Sequence, residues 1–239
     1  VDSHTIRAAG MSIAMHGSGI GGLDSVSAAA TLNYDGSFTV FAGACDLGTG
    51  GDTILLQIAA QALNVELERL QIVVSDTKLT PYDKGAYASS TTYVSGNAVK
   101  TACDRLREKI GQTARQLYGL PEEPLLTGGE LLRPDGTPVD TLEEFSHRVA
   151  SFSGTEQLTC TGGFKCPAAP PPYVAGFVVL EVDTGTGQVR LLDYAAAVDC
   201  GTVINPALAR VQVEGGCAQC MGYALYEDMR FGPDGRMLT

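Results

Sequence analysis

Twice along the chain a strand-like apolar run ends in Asp-x-Gly and gives way to helical periodicity, a pattern that neither a lone sheet nor a helix bundle produces. In the first instance Asp46-Leu47-Gly48 leads through Thr49-Gly50-Gly51 to Ile54, Leu55, Ile58, Ala59, Ala62 and Leu63. These are spaced as one face of a helix, with Asp52 as its expected N-cap. In the second, Asp199-Cys200-Gly201 and Asn205-Pro206 precede a helix expected over about 207–226. Strands alternating with helices argue for an α/β architecture.

The remaining segments fill in that frame. Met11–His16, Val26–Asn33 and Ser37–Ala42 read as strands, the last two joined by the turn Tyr34-Asp35-Gly36. Leu70–Ser75 reads as a further strand. The hydroxyl-rich run Ala88-Ser89-Ser90-Thr91-Thr92 then opens a second helix carrying Val94, Ala98, Ala102, Leu106, Ile110 and Leu117. The order so far is β-β-β-α-β-α. Pro121 to about Ala150 is irregular, with one short helix at Leu142–Ala150, and reads as a connection. Tyr173–Val182 and Val189–Val198 follow as strands across Thr184-Gly185-Thr186-Gly187.

The recurrence of strand, Asp-x-Gly and helix suggests a weak internal duplication, hence an α/β (α+β) chain of two similar lobes of mixed sheet with packed helices. The expected division is a first lobe at 1–120, a connecting segment at 121–155, and a second, incomplete lobe at 156–239. The start at Val1, and the stop just after the turn Gly232-Pro233-Asp234-Gly235, give the expectation of a fragment.

Composition removes several functions. With net charge −11 and only 16 Lys and Arg, the chain lacks the basic surface that nucleic acid or anionic lipid requires. An anionic ligand is therefore expected to be held by backbone N–H groups and hydroxyls. At 44% apolar and 18% charged residues the chain is globular, and no apolar run reaches the length of a membrane helix. Seven scattered cysteines argue against a disulfide framework and for a reducing cytoplasm. His4, His16 and His147 are too dispersed for a histidine zinc site.

Gly17-Ser18-Gly19-Ile20-Gly21-Gly22 has dinucleotide-fingerprint spacing, but Val26–Asn33 after it is β-like, and the fingerprint needs a helix there to receive the pyrophosphate. It reads as a flexible strand connection. Cys217-Ala218-Gln219-Cys220 lacks a companion ligand pair and falls in mid-helix, so buried, metal-free cysteines are expected. Gly48–Gly51 and Ala88–Thr92 are more suggestive. Both place small residues at helix starts, where unpaired N–H groups welcome an oxyanion, although ordinary capping accounts for the same pattern.

Three linked segments carry a family resemblance: Ala44 to Thr53 with Leu56-Gln57-Ile58-Ala59; Ala86 to Ala98; and Val198-Asp199-Cys200-Gly201 through Asn205-Pro206 with Gln212-Val213-Glu214-Gly215-Gly216 and Gln219. In wording, order and separation the chain resembles the molybdopterin-binding part of the xanthine dehydrogenase and aldehyde oxidase family, the molybdenum hydroxylases.

The resemblance implies a molybdopterin cofactor, the cytosine dinucleotide form included, whose metal takes no protein ligand. It implies hydroxylation of an aldehyde or a purine-like N-heteroaromatic with oxygen from water, and iron–sulfur clusters and FAD on partner domains or subunits. By motif position, Gly48, Thr49 and Gly50 approach the metal and pterin, Ala88, Ser89, Ser90, Thr91 and Thr92 the pterin and its phosphate side, and Gln212 the pterin edge.

Thr49 stands where the family usually has Gln, a shorter donor that needs a water to span the same gap. Cys220 replaces a family Gly. No catalytic residue is assigned: the glutamate general base of the family lies outside these residues, Glu214 belongs to a different motif, and the chain alone is expected to be inactive. Tyr82, Tyr87 and Tyr93 serve equally well as ring contacts or as packing residues. The rival from another class is a non-catalytic cofactor-binding or scaffold module of the same fold.

Overall fold

The alternation Ser25-Val26-Ser27-Ala28-Ala29-Ala30 buries every second residue, so it closes as a half-covered strand, β2 (Ser25–Leu32), in a computed structural model that describes residues 4–152 and 157–239. A tight turn returns the chain as β3 (Phe38–Ala42), antiparallel to β2 from Leu32↔Phe38 to Ala28↔Ala42. β4 (Leu70–Val74) pairs parallel to β3, which demands a crossover. That crossover is α1 (Gly51–Leu63) followed by a single 3-10 turn at Leu67–Arg69.

The sheet is completed on the far side of β2 by β8 (Thr159–Lys165), giving the order β4-β3-β2-β8. Over it lies α2 (Gly96–Tyr118), whose buried face carries Ala98, Val99, Ala102, Leu106 and Ile110. These meet Phe38, Val40, Leu55 and Leu63 in one core. α2 and β8 approach so closely that a Cβ at Gly162 would lie 2.3 Å from the amide nitrogen of Ala102. No helix among the described residues is long and apolar enough to cross a membrane.

The stretch expected to be an irregular connection is ordered. β5 (Leu125–Thr127), β6 (Glu130–Leu132) and β7 (Pro138–Thr141) form a small antiparallel sheet leading into α3 (Leu142–Phe152). Leu131, Leu142 and Phe145 are fully buried and tie this layer to the main core. Strands of three or four residues are too short to show a period of two, which is why the sequence hides them.

A separate sheet, all antiparallel, has the order β1-β9-β10, from β1 (Thr5–Met15), β9 (Tyr173–Asp183) and β10 (Val189–Asp199). Glu181, buried on β9, is clamped from both neighbours: Arg7 reaches its Oε1 at 2.6 Å and Arg190 its Oε2 at 2.6 Å. The helix α4 (Pro206–Leu225) follows, started by Pro206 and by Asn205, whose side chain accepts from the Leu208 amide at 3.1 Å. Beyond it the turn at 232–235 is closed by a bridge between Phe231 and Met237.

Compact units therefore divide the chain differently from the expectation. One is 17–170; the other joins the described residues of 1–16 to 171–239. β1, assigned from sequence to the first lobe, pairs with β9 throughout its length, and β8, assigned to the second, pairs with β2. The expected boundary at 155/156 lies outside the described residues.

Candidate functional site

Asp46 determines the shape of the first loop. Its Oδ1 accepts hydrogen bonds from the amides of Gly48, Thr49 and Gly50 at 2.8, 3.0 and 3.2 Å. Gly50 takes φ 76°, which glycine adopts without steric cost, and caps α1 with no side-chain bond of its own. Asp52, expected as the N-cap, instead lies inside the first turn of α1, because Asp46 already supplies the capping oxygen.

Burial pushes the Asp46 carboxyl up, but the amides of Gly48, Asp52, Gly50 and Thr49 outweigh it and hold it below its ordinary value. Burial, and then the Asp46 charge, push Asp52 up. The expectation that unpaired N–H groups at Gly48–Gly51 would receive an oxyanion is thus corrected for Gly48, Thr49 and Gly50, whose amides an internal carboxylate occupies. What the loop offers outward is the exposed Thr49 side chain and open space over Gly48, where an added Cβ would meet nothing within 4 Å.

The second loop is built on unusual backbone. Ala88 and Ser89 are consecutive non-glycine residues at φ 51° and 52°, and Thr91–Ser95 forms a π-helical turn before α2. Ser90 is buried and its hydroxyl is directed at the Gly85 carbonyl at 3.3 Å. Ser89 and Thr92 are exposed, with Ala88 and Thr91 half-buried. Thr91 and Thr92 open the helical segment, where the first amides have no partner within the helix.

These two loops meet, since a Cβ at Gly51 would lie 3.8 Å from Thr91 Cγ2 and 3.9 Å from Thr49 Oγ1. Gln212 is exposed on α4, in the other compact unit.

Sequence reasoning missed the supports. Asp24, 2% exposed, accepts the Tyr87 hydroxyl on Oδ1 at 2.7 Å and the Ile20 amide on Oδ2 at 2.7 Å. Asp46 had a local signal, since Asp-x-Gly is an Asx-turn pattern. Asp24 had none, its partner lying 63 positions away. Tyr93 packs edge-on against Phe164, ring centroids 5.5 Å apart, and Tyr82 is exposed.

The cysteine pair also differs from expectation. Cys217 is only half-buried, hydrogen-bonded to Tyr194, and Cys220 is exposed, because α4 turns one face alone toward β10. All seven cysteines are free thiols. No group of three or more His, Cys, Asp or Glu that could hold a metal ion occurs among the described residues.

A donor set of hydroxyls and helix-start amides, with space over Gly48, fits an anionic cofactor whose metal is carried by its own organic ligand.

Comparison with known proteins agrees with this chemistry. Residues 2–239 match the family described as molybdopterin cofactor-binding domain. The chain is 35% identical over 232 residues to the probable hypoxanthine oxidase XdhD of Escherichia coli (strain K12), covering 96% of this chain and 24% of that protein. It is 32% identical over 216 residues to the putative xanthine dehydrogenase molybdenum-binding subunit XdhA of the same organism, covering 87% and 28%. Among solved structures, quinoline 2-oxidoreductase from Pseudomonas putida 86 superposes with a TM-score of 0.87 at 26% identity, covering 99% of this chain and 32% of that one. The chain thus spans about a quarter to a third of the length of these relatives. It belongs to the molybdopterin cofactor-binding domain family.

Proposed function

We propose that this chain is the molybdopterin-binding portion of a cytoplasmic molybdenum hydroxylase acting on an N-heteroaromatic or an aldehyde. The observation that carries the reading is the meeting of the Thr49 and Thr91 loops at Gly51, which sets uncharged donors side by side beside open space. When bound, the cofactor supplies a redox metal centre at which a substrate carbon gains an oxygen atom from water, with release of two protons and two electrons. Iron–sulfur and flavin groups on partner domains or subunits take up the electrons.

In this reading Ser89, Thr91 and Thr92 hold the pterin and its phosphate side through hydroxyls and helix-start amides, with Ala88 and the buried Ser90 shaping the loop. Thr49 donates toward the metal end, between Gly48 and Gly50, whose missing side chains leave room for the ligand. Gln212 donates to the pterin edge. The general-base glutamate comes from outside these residues, so this chain binds and orients but does not complete catalysis alone. Relatives named for hypoxanthine, quinoline and aldehyde oxidation support the substrate class.

Molybdenum and pterin content of the complete protein, followed by electron uptake from hypoxanthine, quinoline and an aliphatic aldehyde, tests the proposal. The expected result is one molybdopterin per chain, identified as mono- or dinucleotide by its nucleotide content, and turnover of at least one substrate. A loaded protein that turns over none would favour the non-catalytic module, and a protein without pterin would overturn the reading.

A further inference from the structure

The geometry points to Asp24 as a positioning residue that holds the Tyr87–Thr92 loop in its ligand-ready conformation, acting through Tyr87 and the Gly17–Gly22 loop without touching ligand. The inference rests on the reading of Ala88–Thr92 as a cofactor loop.

A carboxylate that is 2% exposed loses its hydration and persists only if its oxygens are answered. Those of Asp24 are: the Ile20 amide donates to Oδ2, the Tyr87 hydroxyl donates to Oδ1, and Lys84 Nζ stands 3.9 Å from Oδ1. Its backbone is fixed too, its carbonyl accepting the Cys166 amide at 2.7 Å, while the Gly22 amide donates to the Cys166 carbonyl at 2.7 Å. Asp24 is thus the point where residues 17–24, 84–88 and the segment after β8 are joined.

The joined segment needs holding. Left-handed φ at both Ala88 and Ser89 is sterically unfavourable and survives only where neighbours over-determine it. Two anchors flank it: the Tyr87 hydroxyl on Asp24, and the Ala88 carbonyl, which accepts the Gly19 amide at 2.7 Å. Gly19 approaches at φ 74°, where a Cβ would stand 3.2 Å from Val94 Cγ2 and 3.3 Å from Asp24 Oδ2. The glycine spacing that resembles a dinucleotide fingerprint therefore serves close approach to a neighbouring loop. With its carboxylate enclosed and both oxygens engaged, Asp24 has no access to a ligand.

The test compares Asp24→Asn, Tyr87→Phe and the double variant in the complete protein, by cofactor content and by amide hydrogen exchange of cofactor-free material. Tyr87→Phe removes one oxygen from a partly exposed residue and is the variant expected to fold in any case. Losing a hydrogen bond to a charged group should weaken cofactor retention about tenfold and speed exchange at residues 85–92 by a similar factor. Exchange in β2 and α2 should be unchanged. The double variant should lose less than the sum of the two single variants, because both changes act on the same link. Parental exchange at 85–92 in Tyr87→Phe, or fully additive losses, would overturn the inference. If the parent protein carries no molybdopterin, the functional reading falls separately and loop exchange alone decides the role of Asp24.

Discussion

Asp46 Oδ1 lies 3.0 Å from the amide nitrogen of Thr49, so the residue proposed to face the cofactor is held by its backbone while its side chain stays exposed. The same oxygen takes the Gly48 and Gly50 amides, leaving a helix start whose positive end is already neutralised from within. Asp46→Ala should free those amides, fray the first turn of α1 and create an anion site that the parent lacks. Hydrogen exchange at Gly48–Asp52 should accelerate in the variant and be slowed again by added sulfate, while sulfate leaves the parent unchanged.

Thr49→Val keeps approximate shape and removes the one side-chain donor of that loop. In the complete, cofactor-loaded protein it should lower kcat more than it raises KM, by roughly 10²–10³-fold at most and less where a water substitutes. Molybdenum content measured on the same sample separates slow chemistry from an empty site. An unchanged kcat would make Thr49 a spacer.

The Asp24–Tyr87 link also gives a pH window. The hydrogen bond to Asp24 first, and burial second, push the Tyr87 phenol from 10.0 to about 12, so its stabilisation is complete below pH 10 and lost as pH rises toward 12. Asp24 is shifted the other way by the Tyr87 hydroxyl, with burial opposing and the Ile20 amide and Lys84 assisting. Its contribution is present above pH 3.8 and lost as pH falls through the lowered value. Denaturation midpoints across pH should show Tyr87→Phe less stable than the parent near neutrality and converging with it beyond pH 12.

Thiol accessibility should separate the cysteines sharply. Burial pushes the Cys103 thiol up to about 12 within the core, whereas Cys45, Cys200 and Cys220 are exposed. Brief iodoacetamide treatment at pH 8, read by peptide mass spectrometry, should label the exposed three and spare Cys103 until the protein is unfolded.

Gly162→Ala should destabilise the 17–170 unit by about 1–3 kcal/mol, the usual cost of overpacking. The new Cβ meets backbone, Ala102 N at 2.3 Å and Ala98 O at 2.6 Å, and neither can swing away as a side chain would. Urea denaturation measures it. Gly96→Ala, which meets only the Ile58 Cδ1 tip at 2.8 Å, should cost less.

The two principal helices were legible because Ile54 to Leu63 and Val94 to Leu117 place apolar residues on one helical face, a local property that survives into the fold. β8 was not, since Thr159-Cys160-Thr161-Gly162-Gly163 has glycine where α2 presses against it, and a glycine-rich strand has little pattern. The loops at 48–51 and 88–92 were legible as helix starts, but who answers their amides was not. Asp46 satisfies one set from inside, and the brace on the other runs from Asp24 and Gly19, distant residues whose own neighbourhood gives no hint of Tyr87 or Ala88.

The pairing of β1 with β9 sets an order of assembly. Arg7 and Glu181, joined across those strands, are 174 positions apart, a closure that an unstructured chain reaches slowly and at considerable loss of entropy. The intervening 17–170 unit carries its own core, and its two ends are already together: the Ser18 amide donates to the Pro170 carbonyl at 3.1 Å. Once that insert has folded, the long tether contracts to a short one, and β1, made before β9 on the ribosome, finds it as a near neighbour instead of searching for it.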